Sequence, residues 1–373
     1  MRKILLVPDS FKGTLSSKQI CEIIGDRINV HFPDAEVISI PVADGGEGSV
    51  DCFLSAMDGE LIKCPSLDPL NGEMEGFYGL VNGGKTAIIE MAACAGLPLI
   101  EDRKDPMGAS TYGVGLLMKD AVSRGATEII LGLGGSATTD FGCGAAAALG
   151  IVFYNENGET FIPTGGTLSE VNRIEGGSHC LKGIKVTLMC DVKNPVYGEN
   201  GAAYVYSPQK GANPEQVKVL DDGLRHICHI ARRDTGADVS ELSGGGAAGA
   251  MAGGMVAFFG ATVRMGIDTV LDTVGFDSLL EGADLVFTGE GRIDTQSLQG
   301  KVVSGVAKCA QKKGVPVIAV VGGALGDISD IYGMGVNSVF TINRLPEDLS
   351  VSRYKSAENL RETVDNVLRI LKI

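Results

Sequence analysis

Residues 127–150 constrain the fold more than any other part of the sequence, because a short apolar run leads into glycines and then into alanines. The apolar residues 129–131 have the length and β-branched character of a strand buried on both faces. Gly134 and Gly135 allow the backbone to turn sharply and to lie close to a ligand. An alanine-rich helix is predicted to follow and to end near Leu149, with Gly150 just beyond it. The segment therefore predicts a strand, a loop and a helix.

The loop in this segment has the character of an anion site. Four polar residues follow the glycines, and each is also a natural helix N-cap: Ser136, Thr138, Thr139 and Asp140. Unpaired N–H groups at a helix start favour a bound anion. The alternative is a glycine-rich turn with ordinary helix caps.

The same loop also fits a dinucleotide-binding fingerprint, G-x-G-x-x-A, with Glu156 near the position of a ribose-binding acid. That fingerprint requires a tightly packed helix directly after the glycines. Residues 138–144 are instead polar and interrupted by glycine. A nicotinamide-dependent oxidoreductase of a small hydroxy acid is therefore only an alternative.

The composition excludes several classes of partner. The 373 residues carry a formal net charge of −14, which opposes binding to nucleic acid or to an anionic membrane. The length suggests about two domains, and no stretch has the length and apolarity of a membrane span. The apolar run before Pro8 is too short for the core of a signal peptide. Nine cysteines without a C-x-x-C pair are typical of free thiols in a reducing compartment, so we expect a cytoplasmic protein.

The chain begins with two strand–loop–helix units. Residues 3–8 and 37–42 are predicted strands, and Ser16 with Gln19 forms a capping box at the first helix. The carboxyl ends of parallel strands meet at one edge of a sheet. We therefore expect the loops after these strands to bring together Asp9, Lys12, Asp44 and Glu47.

Residues 65–84 are predicted to form antiparallel hairpins, because turn signals separate short apolar runs. Residues 79–86 also fit the P-loop pattern G-x-x-x-x-G-K-[ST], which needs a strand before it and a helix after it. An Asn-Gly turn lies inside this pattern, and residues 87–89 resemble a strand. The hairpin is therefore the favoured interpretation.

Further strands carry polar residues at their ends. A strand at residues 186–192 contains Asp191 near its end. A strand at residues 284–288 precedes a loop that is unusually rich in charge. This loop contains Glu290, Arg292, Asp294, Ser297 and Lys301. The glycine-rich stretch 243–254 fits either close helix packing or contact with an anion or an adenine ring.

Both chain ends therefore alternate strands and helices, whereas the centre mixes hairpins, helices and glycine loops. This pattern predicts an α/β protein with a discontinuous, flavodoxin-like or Rossmann-like parallel-sheet domain. The expected boundaries are residues 1–64 together with 282–373 for this domain, and 65–281 for an inserted, mixed α/β domain.

Five segments, residues 8–17, 41–51, 131–150, 190–203 and 287–301, resemble the type I bacterial glycerate kinases. The resemblance runs from Met1 to the end of the chain. It implies a flavodoxin-like domain built from both chain ends with a second α/β domain inserted. It also implies ATP and Mg²⁺ as cofactors and D-glycerate as the substrate, with 2-phosphoglycerate favoured over 3-phosphoglycerate as the product. We expect no other class of partner, and a monomer or a homodimer.

Phosphoryl transfer needs screened phosphates and a carboxylate that orients the acceptor hydroxyl or holds the metal. The expected contacts to the ATP phosphates come from Gly134, Gly135, Ser136, Thr138, Thr139 and Asp140. The expected Mg²⁺ ligands are Asp191 and Glu290. The expected catalytic residues are Asp294 as base, with Arg292, Lys12 and Asp191. The expected substrate contacts are Asp9, Ser10, Asp44, Gly45 and Gly46. Which carboxylate is the base and which binds metal stays open, and a non-catalytic sugar-acid sensor is the alternative to the kinase.

Overall fold

The structure, a computed structural model, describes residues 1–43, 45–294, 301–343, 345 and 347–373. Asp44 and Ser297, which the sequence singled out, lie outside these residues. The chain divides into two compact units. The terminal unit comprises Met1–Ala43, Asp51–Met57 and Ile267–Ile373, and the central unit comprises Asp44–Val50 and Asp58–Gly266. The domain boundaries expected from the sequence stay a prediction.

The strands of the described residues are, in chain order, β1 (Lys3–Pro8), β2 (Glu36–Ser39), β3 (Gly59–Leu67), β4 (Glu73–Val81), β5 (Thr86–Glu90), β6 (Glu128–Gly132), β7 (Val152–Tyr154), β8 (Thr160–Phe161), β9 (Arg173–Glu175), β10 (Lys185–Met189), β11 (Thr262–Arg264), β12 (Leu285–Gly289), β13 (Arg292–Ile293), β14 (Val317–Val321), β15 (Gly323–Ala324) and β16 (Ser338–Thr341).

The α-helices of the same residues are α1 (Ser17–His31), α2 (Ser49–Ala56), α3 (Ala92–Ala95), α4 (Tyr112–Ser123), α5 (Cys143–Leu149), α6 (Ala202–Tyr206), α7 (Pro214–Thr235), α8 (Ala247–Phe259), α9 (Gly266–Thr273), α10 (Phe276–Leu279), α11 (Val302–Lys312), α12 (Asp330–Gly333), α13 (Leu349–Ser352) and α14 (Ser356–Ile370). Short 3₁₀ turns span Leu97–Ile100, Gly165–Glu170, Pro208–Lys210 and Arg353–Lys355. None of the helices that the structure describes is long and apolar enough to cross a membrane.

The terminal unit contains a parallel five-stranded sheet in the order β16–β14–β12–β1–β2. This is the 2-1-3-4-5 order of flavodoxin-like sheets, in which the strand order reverses beside the first strand. The reversal lies between β1 and β12, where Pro8 is paired with Gly289. The predicted α/β class is confirmed, and the carboxyl ends of β1 and β12 border the crevice where such sheets bind ligands.

The helices α1 and α14 pack on this sheet because each has one apolar face, as the sequence predicts. Ile20, Ile24 and Ile28 of α1 are buried in the same core cluster as the apolar face of α14. The predicted capping box is confirmed: the Ser16 hydroxyl accepts a hydrogen bond from the Gln19 backbone N–H, and the Ser16 backbone N–H donates to the Gln19 side chain.

The central unit contains a mixed six-stranded sheet in the order β11–β10–β6–β5–β4–β3. Its first four strands run parallel, whereas β3, β4 and β5 pair antiparallel as the predicted hairpins. Asn82 has a φ of 53° in the turn between β4 and β5. Because Thr86 begins a strand and not a helix, residues 79–86 do not form a P-loop. A smaller sheet in this unit has the order β8–β7–β9.

The predicted strand–loop–helix at residues 127–150 is confirmed as β6, a loop and α5. Gly150 ends α5 with a φ of 110°. The expected N-cap is wrong, because α5 begins only at Cys143 and is preceded by Gly142, which offers no side chain. The loop after Gly132 is therefore ten residues long. The helix that a dinucleotide fingerprint requires directly after its glycines does not form.

Candidate functional site

The terminal unit has a pocket of about 470 Å³, lined by several charged side chains, at the reversal point of its sheet. The segments that follow β1, β12, β14 and β16 contribute to it, since parallel strands present their carboxyl ends at one edge. Its charged lining residues are Asp9, Lys12, Glu290, Arg292, Asp294 and Lys301. The sequence predicted all of these except Lys301 as site residues.

Arg292 and Asp294 form an ion pair in this pocket, with 3.4 Å between Nη2 and Oδ2. The Arg292 side chain is 66% exposed and that of Asp294 is 14% exposed, so the guanidinium reaches solvent while the carboxylate is largely covered. Glu290 is buried, with 4% of its surface exposed. The Asp9 carboxylate accepts a hydrogen bond of 2.6 Å from the Ser10 N–H, which fixes the turn after β1. Carboxylates beside an exposed guanidinium suit a small ligand with an acidic group and hydroxyls.

The central unit has a second pocket, of about 520 Å³, at the carboxyl ends of β6 and β10. Its polar and glycine lining includes Gly46, Glu101, Gly134, Gly135, Ser136, Asp191, Tyr206, Gln209 and Lys210. Ala247 and Ala248, at the start of α8, also line it. Residues 247–254 of the glycine-rich stretch thus belong to the buried first part of α8, as the close-packing interpretation predicts. Its contact with an anion or an adenine ring stays a prediction.

The loop after β6 is held by a second glycine-rich segment. The Gly134 N–H donates to the Gly45 carbonyl at 2.9 Å, and a Cβ on Gly134 would lie 2.5 Å from the Gly46 Cα. Since that neighbour is backbone, only glycine permits this approach. Gly45 and Gly46, predicted as substrate contacts, thus lie beside the predicted phosphate loop.

Lys210 also lines this pocket and was not among the predicted site residues. Only 2% of its surface is exposed, and its Nζ donates to the Ser136 hydroxyl at 2.8 Å and to the Thr138 carbonyl at 2.5 Å. Burial lowers the pKa of the Lys210 ammonium to about 7, although the negative charge of Asp140 acts to raise it. The signal in the sequence is weak: a lysine between Pro208 and Gly211, in a turn.

Asp140 is fully buried and supports the loop from behind. Its carboxylate accepts hydrogen bonds from the Thr111 N–H and hydroxyl, both at 2.8 Å, and from the N–H groups of Gly142 and Gly144. Burial raises the pKa of the Asp140 carboxyl, and these four donors act to lower it. Thr138 and Thr139 are also fully buried, and none of the three lines the pocket. In the structure these three residues therefore support the predicted phosphate loop from behind and do not line the pocket.

The predicted residues divide between the two pockets. The terminal pocket is lined by Asp9, Ser10, Lys12, Glu290, Arg292 and Asp294, and the central pocket by Gly46, Gly134, Gly135, Ser136 and Asp191. The predicted metal ligands Asp191 and Glu290 thus line different pockets. Among the described residues, no group of three or more His, Cys, Asp or Glu side chains could hold a metal ion. The Asp191 carboxylate accepts a hydrogen bond of 2.8 Å from the Gly266 N–H.

The fold and the two pockets define a class: an α/β protein with charged and glycine-rich pockets suited to small polar ligands at the carboxyl ends of parallel strands.

Comparison with known proteins identifies the family within this class. The model of the glycerate kinase family matches residues 4–372. A glycerate kinase of Bacillus cereus is 41% identical over 374 residues, which cover 100% of this chain and 98% of the relative. A glycerate 2-kinase of Escherichia coli is 39% identical, and the match covers 91% of this chain and 90% of that relative. A solved structure described as glycerate kinase 2 of Salmonella typhimurium has a TM-score of 0.88 at 37% identity, covering 100% of this chain and 98% of the other.

The chain therefore belongs to the glycerate kinase family, and it is a kinase, that is, a phosphotransferase. The resemblance found in the sequence is confirmed.

Proposed function

We propose that the protein phosphorylates D-glycerate with ATP and Mg²⁺, and that 2-phosphoglycerate is the product. Family membership across residues 4–372 supports the reaction class. The observation that carries the proposal is the terminal pocket, which gathers carboxylates, a guanidinium and ammonium groups at the reversal point of the sheet. The name of the glycerate 2-kinase relative supports the position of the phosphate.

In this proposal the terminal pocket binds the acceptor. Arg292 has an exposed guanidinium that matches the planar carboxylate of glycerate, and Lys12 adds a second positive charge. Asp294 is largely covered and lies beside Arg292, which suits a base that accepts the proton of the reacting hydroxyl. Asp9 and Ser10 line the same pocket and offer hydrogen bonds to the remaining hydroxyl.

The central pocket binds the ATP phosphates in this proposal. Gly134, Gly135 and Ser136 bring backbone and a hydroxyl to its wall without a bulky side chain between them and a ligand. Glycine loops of this kind suit phosphate groups, because backbone N–H groups that are not bonded within the protein can approach the oxygens closely. The Gly134 N–H is not one of these, since it donates to the Gly45 carbonyl.

Asp191 is the residue of the central pocket that would hold Mg²⁺. Magnesium is commonly bound by one or two carboxylates, with substrate phosphates and water completing six ligands. One carboxylate beside a phosphate loop fits this mode. The bound cation would screen the charge of the phosphates during transfer. Glu290, the other predicted metal ligand, lines the terminal pocket, and its role stays a prediction.

A coupled assay of ADP release with D-glycerate, ATP and Mg²⁺ tests the reaction, and phosphorus NMR of the product locates the phosphate. We expect glycerate-dependent ADP release and a phosphorus signal coupled to the single proton at C2. Coupling to the two protons at C3 would contradict the product assignment only. Glycerate binding without turnover would overturn the kinase proposal in favour of a sensor.

A further inference from the structure

Lys210 is a buried cation without a described counter-ion. Its ammonium is held by two neutral oxygens, the Ser136 hydroxyl and the Thr138 carbonyl. Among the described residues, no carboxylate lies within ion-pair distance of this ammonium. Asp140 supplies a negative charge nearby, but its carboxylate oxygens accept hydrogen bonds from Thr111, Gly142 and Gly144.

An ammonium in this position is costly for the folded protein. Removing a charge from water without pairing it is among the most unfavourable changes in folding. A methionine would fill a similar volume without that cost. A buried charge of this kind at the wall of a pocket is a candidate for ligand binding.

The ammonium also has a donor left for a ligand. An ammonium carries three N–H groups, and the two described contacts use two of them. Lys210 lines the central pocket together with Gly134, Gly135 and Ser136. A group that accepts a hydrogen bond from the Ser136 hydroxyl would therefore lie next to the Lys210 ammonium, because these two groups are 2.8 Å apart.

We propose that Lys210 binds a phosphate oxygen of the nucleotide in the central pocket, an inference that rests on the proposed function. The ligand class is an oxyanion, and both the nucleotide phosphates and the glycerate carboxylate have that chemistry. The phosphates are favoured because Lys210 adjoins a glycine-rich loop, whereas the guanidinium suited to a carboxylate lies in the terminal pocket. The bound phosphate supplies the missing counter-charge.

The test uses two variants of the full-length enzyme and a matched control. Lys210→Met removes the charge and the donors, whereas Lys210→Gln removes the charge but keeps amide N–H donors for Ser136 on a side chain that is one bond shorter. Lys218→Met, at an exposed position on α7, is the control. Calorimetry with Mg²⁺-ATP gives the Kd of the nucleotide. Competition with adenosine, which carries no phosphate, gives the affinity for the nucleoside part alone. Steady-state kinetics give separate KM values for ATP and for glycerate.

We expect both Lys210 variants to weaken ATP binding by about 10- to 100-fold, the range for a lost charged hydrogen bond. Adenosine affinity and the glycerate KM should change by less than about 2-fold, and Lys218→Met should match the wild type. Unchanged ATP affinity in a folded Lys210→Met enzyme would overturn the inference while leaving the kinase intact. A rise in the glycerate KM alone would assign Lys210 to the carboxylate and would also overturn it.

A failure of the proposed function can be distinguished from a failure of the inference about Lys210. If the wild type binds ATP in a Lys210-dependent way but shows no glycerate-dependent turnover, Lys210 keeps its role and the proposed reaction is wrong. A purely structural role predicts a different pattern again: Lys210→Gln would restore ATP affinity by restoring the hydrogen bond to Ser136, and that result would contradict the inference.

Discussion

Gly249 lies so close to Thr138 that a Cβ atom on the glycine would stand 1.9 Å from the Thr138 carbonyl oxygen. This carbonyl also accepts the hydrogen bond from the Lys210 ammonium. Gly249 has a φ of 64° and stands between Ala248 and Ala250, which share its left-handed conformation. The start of α8 is therefore packed against the backbone of the proposed phosphate loop.

Replacing Gly249 with alanine should be among the most destabilising changes in the central unit. The left-handed conformation costs an alanine about 1–2 kcal/mol, and the overlap with a backbone oxygen cannot be relieved by a rotamer change. We expect a loss of about 4 kcal/mol or more, which for a unit of this size lowers Tm by about 8 °C or more.

Gly260→Ala is the matched control for this change. Gly260 ends the same helix with a φ of 67°, and nothing lies within 4 Å of a Cβ placed there. It therefore has the conformational cost without the overlap, and we expect a loss of about 1–2 kcal/mol. Thermal unfolding followed by circular dichroism measures both. Equal losses in the two variants would show that close packing on Thr138 contributes nothing.

Asp140→Asn should destabilise the loop without removing a ligand contact. The carboxylate accepts four hydrogen bonds, whereas an amide turns two N–H groups toward the same donors. Unsatisfied buried donors cost about 1–3 kcal/mol each, so we expect a loss of about 2–4 kcal/mol. Asp222→Asn, on the exposed side of α7, is the control and should change Tm by less than 1 °C. A stable Asp140→Asn enzyme with reduced ATP affinity would instead support the direct phosphate contact that the sequence suggested.

Local patterns in the sequence were sufficient to predict much of the fold. The capping box of Ser16 and Gln19, the apolar strand of residues 129–131 and the Asn82 turn depend on neighbours a few residues away, so their patterns can be interpreted directly. The position of Asp140 could not be predicted in this way. Its main partner, Thr111, is 29 residues distant, and an aspartate before a helix suggests a cap or a phosphate contact equally.

The burial of Lys210 was equally inaccessible from the sequence. A lysine in a polar turn is normally exposed, and its partners Ser136 and Thr138 lie 74 and 72 residues earlier. Only the packing of the turn against the loop after β6 removes its ammonium from water. The division of Asp191 and Glu290 between two pockets likewise depends on which sheet each strand joins, which local patterns do not specify.

The stability of the wild type relative to Lys210→Met should rise with pH between about 7 and 10. The Lys210 pKa is about 7 in the folded protein and about 10.4 in an unfolded chain, so the unfolded state binds the extra proton in this window. Stability therefore increases as pH rises, by up to about 1.4 kcal/mol per pH unit, and the gain ends above the unfolded pKa.

Comparison with the variant is essential to this measurement, because other groups titrate in the same range. Burial raises the pKa of the Cys190 thiol, which makes the folded state less stable as pH rises, but this effect is common to both proteins. The other titratable groups near the pocket are Glu101, Asp140, Asp191 and Tyr206. Denaturant unfolding of the nucleotide-free proteins at pH 7.5 and 9.5 gives the difference. A constant difference would mean that Lys210 keeps its proton throughout.

Asp294→Asn and Arg292→Ala should reduce turnover through different constants. Loss of a general base lowers kcat by about 10²- to 10⁴-fold, whereas loss of a carboxylate-binding guanidinium raises the glycerate KM by about 10-fold or more. Steady-state kinetics separate the two effects. Because the Arg292 side chain is 66% exposed, neither stability nor ATP affinity should change much in its variant. Arg361→Ala, at an exposed position on α14, is the control. A near-normal kcat of Asp294→Asn, or a near-normal glycerate KM of Arg292→Ala, would exclude the role proposed for that residue.

Removal of Mg²⁺ should abolish turnover without affecting the stability of the nucleotide-free protein. Asp191 is the proposed metal ligand of the central pocket, and its carboxylate already accepts a hydrogen bond from the Gly266 N–H. One carboxylate does not hold Mg²⁺ firmly without phosphate oxygens, since the ion needs six ligands in near-octahedral geometry. We therefore expect EDTA to leave the Tm of the nucleotide-free enzyme unchanged and to remove most of the rise in Tm that Mg²⁺-ATP produces. Asp191→Asn should lessen that rise and increase the Mg²⁺ concentration needed for half-maximal turnover. A drop in Tm caused by EDTA without nucleotide would instead indicate a metal site formed by the protein alone, and it would contradict the proposed binding of Mg²⁺ through ATP.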